Sequence, residues 1–218
     1  MSVAKVVHQR DGLRIERLVT SGVFEIDGGR WTVDNNVWFV GDNTDVVVID
    51  AAHDAQAIAS AVGHRNVVAV VCTHAHNDHI NAAVDLAYAT QAPVLLHPAD
   101  DMLWRAVHGD FPYMHLHDGQ RIGFAGTEVV AIHTPGHSLG SVCLHLPDVA
   151  TLFSGDTLFA GGPGATKGSY ADFWTIIDSI DNNLFSLYEH TQVFPGHGPA
   201  TTVGVEYADL GLWIARGY

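Results

Sequence analysis

Two things are scarce in this 218-residue chain: cysteine, which occurs twice, and positive charge, with 10 lysines and arginines against 24 acidic residues. Two cysteines make no disulfide framework. Cys72 and Cys143 each fall in an apolar, strand-like run and read as buried free thiols. A formal net charge of −14 repels phosphate backbones and anionic lipid, which argues against nucleic acid and membrane as partners. Long hydrophobic runs are also missing; residues 67–72, among the longest, have the length of a strand and not of a membrane span. The first 18 residues carry scattered charges and no apolar stretch, so a signal peptide is not expected. Together with the unpaired thiols this points to the cytoplasm. Low-complexity segments are absent too, and 47% hydrophobic with 16% charged residues is the composition of a folded globular chain.

What is present is an alternation of strands and helices over a length that buries a proper core. Strands are expected at residues 35–41, 45–51, 66–73, 92–98, 127–134, 141–147, 150–156 and 191–197. Helices are expected at 54–62, with Asp54 near its start and Gly63 after its end, at 80–90, near 98–107, at 171–188 and near the C-terminus. Phe173, Ile176, Ile177, Ile180 and Leu184 share one face of the 171–188 helix. Residues 108–120 read as a loop joining two comparable halves. No linker-like stretch divides them, so residues 1–218 are expected to form a single α/β domain.

The chemistry lies where these strands end. The 66–73 strand runs directly into His74, His76, Asp78 and His79, four potential ligands in six positions. Three later strands end in the same way, in turns that present His137, Asp156 and His197. Ligand sites in α/β sheets collect at the carboxyl ends of strands, so seven such side chains can converge. A lone histidine is more often structural, and His8, His53, His64, His97, His133, His145 and His190, among the 15 in the chain, are read that way. Five imidazoles and two carboxylates suit two divalent ions, zinc first, with iron or manganese compatible.

The stretches "THAHNDH", "TPGHSLGS", "LFSGDTLF" and "FPGHGP" resemble the motifs of the metallo-β-lactamase fold superfamily, and most closely its glyoxalase II-like hydrolases. The resemblance implies an αββα sandwich of two similar halves with the metals at the strand C-terminal edge. By position in the motifs, His74, His76 and His137 would hold one metal. Asp78, His79 and His197 would hold the other, and Asp156 would bridge them. The implied activity is hydrolysis of a small S-acyl thioester by a hydroxide shared between the metals, with Asp78 also orienting that nucleophile. Asp50, at the end of its strand, would support a ligand histidine from behind. Two alternatives use the same fold: a mononuclear non-haem iron persulfide dioxygenase holding iron through His74, His137 and Asp156, and a lactone or lactam hydrolase.

The chain departs from the family pattern at three places. Glycines usually follow the histidine-rich motif, whereas here Ile80 and "NAA" follow, which would narrow the pocket beside the metals. An arginine is usual in the loop after the bridging aspartate; here Thr166, Lys167 and Tyr170 are the candidate substrate contacts, with Lys167 facing a substrate carboxylate. The chain runs about twenty residues past His197, short of the helical domain that grips glutathione in full-length glyoxalase II enzymes, so a short form with another thiol carrier is expected. Residues 108–117 suggest either a substrate-facing flap or a core or dimer contact, the second favoured. Oligomeric state is not legible.

Overall fold

The computed structural model describes residues 3–217. A seven-stranded sheet takes its strands in chain order: β1 (Lys5–Arg10), β2 (Leu13–Ile26), β3 (Gly29–Gly41), β4 (Asp45–Ile49), β5 (Asn66–Val71), β6 (Val94–Leu96) and β7 (Met114–His115). The first four pair antiparallel and the last three continue in parallel from β4. Parallel neighbours need crossovers, and α1 (Ala55–Val62), α2 (Asn77–Ile80), α3 (Ala83–Thr90) and α4 (Asp101–His108) lie in those connections. The second half forms a six-stranded sheet from β8 (Arg121–Phe124), β9 (Thr127–His133), β10 (Val142–Leu146) and β11 (Thr151–Gly155). A two-stranded ribbon follows, β12 (Leu158–Phe159) with β13 (Gly162–Pro163). After α5 (Phe173–Ser179), β14 (Gln192–Pro195) joins β11 in parallel and β15 (Thr201–Thr202) closes the edge. The short helices α6 (Val203–Tyr207) and α7 (Leu210–Arg216) end the described chain.

Alternation along the strands builds three apolar layers. Val46 and Val48 of β4 face α1, α3 and α4, among Ile58, Leu86 and Trp104, whereas Val47 and Ile49 face the other sheet. On β10, Val142, Leu144 and Leu146 meet them from the second sheet, and Cys143 points outward to α5 and α7 among Ile176, Ile177 and Trp213. The order is therefore helices, sheet, sheet, helices: the αββα sandwich. Cys72 lies in the outer layer of the first half and Cys143 in that of the second, both unpaired, and burial pushes both thiols up, Cys143 to about 11. Among the described residues no helix is long and apolar enough to cross a membrane.

Helix α1 begins and ends as expected: the Asp54 carboxylate accepts from the Ala57 amide at 2.9 Å, and Gly63, at φ 67°, closes it. Two other helices are shorter than their apolar pattern suggests. The helix expected at 80–90 begins only at Ala83, as α3, after the separate short α2, and the one expected at 171–188 leaves α-geometry after Ser179 for a π turn over Ile180–Leu184. The largest surprise is at the N-terminus, where 13-residue pairing between β2 and β3, from Arg14 with Gly41 to Ile26 with Gly29, makes a long hairpin. Its turn is Asp27-Gly28, with φ of 49° and 79°, as a two-residue hairpin turn of the primed type requires. Within residues 108–117, Phe111 and Tyr113 pack against the first-half core beside Trp104, whose indole donates to the Phe111 carbonyl at 2.9 Å, which favours the core contact of the two readings.

Candidate metal centre

The four turns that carry the candidate ligands meet at one end of the sandwich. β5 delivers Thr73 to His79, and the 134–141 turn between β9 and β10 delivers His137. β11 runs into Asp156, and β14 runs through Gly196 into His197. The two sheets are fastened at this edge. Asn36 and Trp38 of β3 both donate to the Pro195 carbonyl at 3.0 Å, and the Asn36 amide donates to the Gly196 carbonyl at 2.7 Å. Gly196 is required by closeness: a Cβ there would lie 2.5 Å from Asp156 Oδ1 and 2.5 Å from His79 Cε1.

His74 Nε2 lies 3.1 Å from His76 Nδ1, which lies 3.0 Å from His137 Nε2. A second group brings His79 Nε2 within 3.1 Å of His197 Nε2, with Asp78 Oδ2 at 3.3 Å from His197 and 3.6 Å from His79. Asp156 stands between the two. Its Oδ2 is 3.6 Å from His137 Nε2 and 3.5 Å from His197 Nε2, and its Oδ1 is 3.3 Å from His79 Nε2. All seven side chains are buried except those of Asp156 and His197, 12% and 25% exposed, which form the opening to solvent.

The tautomers of four imidazoles follow from their outer partners. His137 Nδ1 faces the Ala165 carbonyl at 2.8 Å and His197 Nδ1 the Asp34 carbonyl at 2.7 Å; a carbonyl only accepts, so both Nδ1 atoms carry a proton and Nε2 is the ring nitrogen each turns inward. His79 Nδ1 faces Asp50 Oδ2 at 3.0 Å with the same consequence. Asp50 also accepts from Thr73, at its amide and at its hydroxyl, both at 2.7 Å. With its own proton given to Asp50, the Thr73 hydroxyl accepts from His74 Nδ1 at 3.2 Å. Imidazole nitrogens facing one another about 3 Å apart leave room for a cation about 2.0–2.1 Å from each, which would take the place of the protons they otherwise share. Asp78 Oδ1, Asp156 Oδ1 and His76 Nε2 are buried without a hydrogen-bond partner. Two orphaned carboxylate oxygens beside convergent imidazoles fit divalent cations. Three sets of side chains are close enough to hold an ion: His74, His76 and His137; His74, His79 and Asp156; and Asp78, His79 and His197.

Charge divides the cage. Burial, reinforced by the neighbouring histidines, holds His74 well below its usual range and His76 at about 3, so both are neutral. For His79 and His197 burial acts in the same direction but the carboxylates outweigh it. Asp156, Asp78 and Asp50 hold His79 well above its usual range, and Asp156 and Asp78 push His197 to about 10. Burial is likewise outweighed at Asp78, which His79, His197 and Asn35 bring to about 2, and at Asp156, held well below its usual range by the same two histidines.

A family model for the metallo-β-lactamase superfamily matches residues 30–197, a span that contains every one of these side chains. The chain belongs to the metallo-β-lactamase superfamily. It is 30% identical over 190 residues to a protein named "Probable metallo-hydrolase YqgX" of Bacillus subtilis, a match covering 80% of this chain and 90% of that one. Among solved structures it is similar to TTHA1623 in a di-iron-bound form, with 32% identity, a TM-score of 0.74 and coverage of 80% and 93% of the two chains. It is also similar to the BLEG-1 B3 metallo-β-lactamase, with 28% identity, a TM-score of 0.72 and coverage of 87% and 97%.

Of the remaining candidates, Thr166, Lys167 and Tyr170 lie on the loop that passes His137 at Ala165 and reaches the β2–β3 hairpin at Ser169. There Ser169 donates from its amide and hydroxyl to Asp27 at 3.0 and 2.9 Å. Thr166 is half-buried, Lys167 is exposed, and the exposed Tyr170 donates its hydroxyl to Met102 Sδ at 3.4 Å. Ile80 does not narrow the pocket: it is fully buried with Ala82 and Ala83 in the helix-side core, because the short helix α2 turns that face away from the candidate ligands. Two supporting residues escape a reading of the sequence. Asp100 accepts from the Ala75 amide at 2.9 Å, the Ser138 hydroxyl at 2.8 Å and the Gly140 amide at 2.6 Å, tying together the turns that carry the first triad. Asn35 donates to Asp78 Oδ2 at 3.0 Å. Asp100 lies two residues after Pro98 and resembles an ordinary helix start, and Asn35 sits in a polar run; only the fold supplies their partners.

Proposed function

We propose that this metallo-hydrolase cleaves a small S-acyl thioester in the manner of glyoxalase II-like enzymes, using two divalent cations, zinc first, held by the seven-residue cage. The observation that carries the reading is the place of Asp156, within 3.6 Å of imidazole nitrogens from both triads. A complete second triad favours the two-cation hydrolase over a mononuclear iron site built on His74, His137 and Asp156. When bound, the cations supply Lewis acidity for the carbonyl oxygen and lower the pKa of the attacking water.

The chain's own part is positional. His74, His76 and His137 form the first holder; Asp78, His79 and His197 form the second, with Asp156 shared. Asp50 fixes the His79 tautomer through Nδ1, as a carboxylate behind a ligand histidine does. Asp78 turns its unpartnered Oδ1 to the buried interior, where it orients the water by accepting its proton in a hydrogen bond. The Asp27–Ser169 contact sets the hairpin tip and the 165–170 loop as two adjoining walls, and Thr166, Lys167 and Tyr170 on that loop meet the substrate. Lys167 pairs with a substrate carboxylate.

The B3 metallo-β-lactamase neighbour supports a lactam hydrolase as a second reading, and the di-iron form of TTHA1623 keeps iron among the candidate metals. A panel of acyl-thioesters of several thiols, a lactone and a cephalosporin, with metal analysis, tests them together. About two zinc-class ions per chain with turnover confined to thioesters is the expected result. One iron per chain with oxygen uptake on a persulfide overturns it, and cephalosporin turnover alone replaces the substrate class.

A further inference from the structure

A hydrogen-bond chain behind the second triad runs in one direction only. The His53 backbone amide donates to Asn81 Oδ1 at 2.6 Å, which fixes the orientation of the Asn81 side chain. Its Nδ2 must then donate to His53 Nδ1, 3.0 Å away. His53 Nδ1 is therefore the acceptor, the ring proton sits on Nε2, and Nε2 donates to Asn35 Oδ1 at 2.9 Å. Asn35 is left with its nitrogen toward Asp78, and donates to Oδ2 at 3.0 Å. Every donor and acceptor is consistent with the next, and the chain ends on the carboxylate of the second triad.

The backbone is shaped to hold this histidine. His53 has φ 65°, a left-handed conformation that a non-glycine residue keeps only where its surroundings fix it. On β2, Gly22 faces the ring so closely that a Cβ would lie 2.1 Å from His53 Nδ1. The ring occupies space that any other residue at position 22 would fill.

We propose that His53 is a positioning residue: through Asn35 it fixes the carboxylate of Asp78 with Oδ2 toward the Nε2 atoms of His79 and His197, and so sets the affinity of the second cation site. This rests on the two-cation reading. Asp50 and His53 thus support the same triad from two sides, one through a ligand imidazole and the other through a ligand carboxylate.

The test is stepwise zinc titration against a chromophoric chelator, giving two successive dissociation constants for the intact protein, its His53→Phe variant and its His53→Gln variant. Phe keeps a ring without a donor; Gln restores an N–H donor. His53→Phe is expected to weaken one constant about 10-fold and leave the other within about twofold, and His53→Gln to recover most of the loss. Equal weakening of both constants, or no change in either, overturns the inference while leaving the two-cation reading intact. An unmutated protein that binds no second zinc overturns that reading and the inference with it. Nitrogen-15 NMR of the unmutated protein gives an answer even if the variants do not fold: the Nε2–H tautomer of His53 is required, and the Nδ1–H tautomer contradicts the proposal.

Discussion

The two triads of the cage lie side by side and are built from opposite electrostatics. His74, His76 and His137 are all imidazole, and burial keeps His74 and His76 neutral, so this triad holds lone pairs without bringing in charge. Asp78, His79 and His197 include a carboxylate, share Asp156 and have Asp50 behind, and here carboxylates overcome burial to draw protons onto His79 and His197. Positive charge is wanted in the second triad whether or not a cation is there. Their supports differ as well: Asp100 braces the turns of the first triad, and Asp50 and Asn35 brace the second. Under the proposed thioesterase reading, two sites of unequal character on one shared carboxylate would suit a reaction in which one carbonyl oxygen and one leaving thiolate need different partners.

The largest expected effect removes what the triads share. Asp156→Ala takes hydrolysis to background and metal content to about one ion per chain or less by elemental analysis; near-normal turnover would show that no bridge is needed. Asp100→Ala acts on the first triad alone. It strands the Ala75 and Gly140 amides, at about 1–3 kcal/mol for each unsatisfied group, whereas the Ser138 hydroxyl keeps Ser141 Oγ at 2.8 Å, so chemical denaturation should show a loss of several kcal/mol. The more tightly imidazole-bound ion should weaken with it, and unchanged stability would mean that water replaces the carboxylate.

Titrating the metal-free chain sharpens the contrast. His76, depressed to about 3, contributes stability that is present above its ordinary value of 6.5 and lost as pH falls through about 3. His197, raised to about 10, contributes stability that is present below 6.5 and lost as pH rises through about 10. Histidine NMR at pH 7 should therefore show His74 and His76 neutral and His79 and His197 protonated, and zinc uptake at that pH should release protons from the second triad. Four neutral imidazoles at pH 7 would erase the distinction. The smallest effect lies outside both triads: Lys167→Ala should raise KM for anionic thioesters several-fold with kcat little changed, and an unchanged KM would remove it from the substrate wall.

The turns that carry the candidate ligands are legible in the sequence because each follows a run of mostly buried apolar residues, and a polar residue at the end of such a run stands out. Cys72 and Cys143, Asp54 and Gly63 are legible on the same local grounds. The β2–β3 hairpin is not found because arginines and glutamates interrupt its apolar alternation, although Asp27-Gly28 is a sound turn signal. Its strands are half-buried at an open end of the sheet, so charge is tolerated on them. Ile80 misleads in the other direction, since adjacency to ligands in sequence says nothing of which way a four-residue helix turns its apolar face. Asn35, His53 and Asp100 draw their significance from partners between 18 and 43 positions away, and no local pattern marks them.

Zinc-edge anomalous diffraction from crystals grown with zinc tests the central claim most directly. Two peaks about 3.5–4 Å apart are predicted, one ligated by His74, His76 and His137 and the other by Asp78, His79 and His197, with Asp156 touching both. A single peak that leaves either triad without an ion contradicts it.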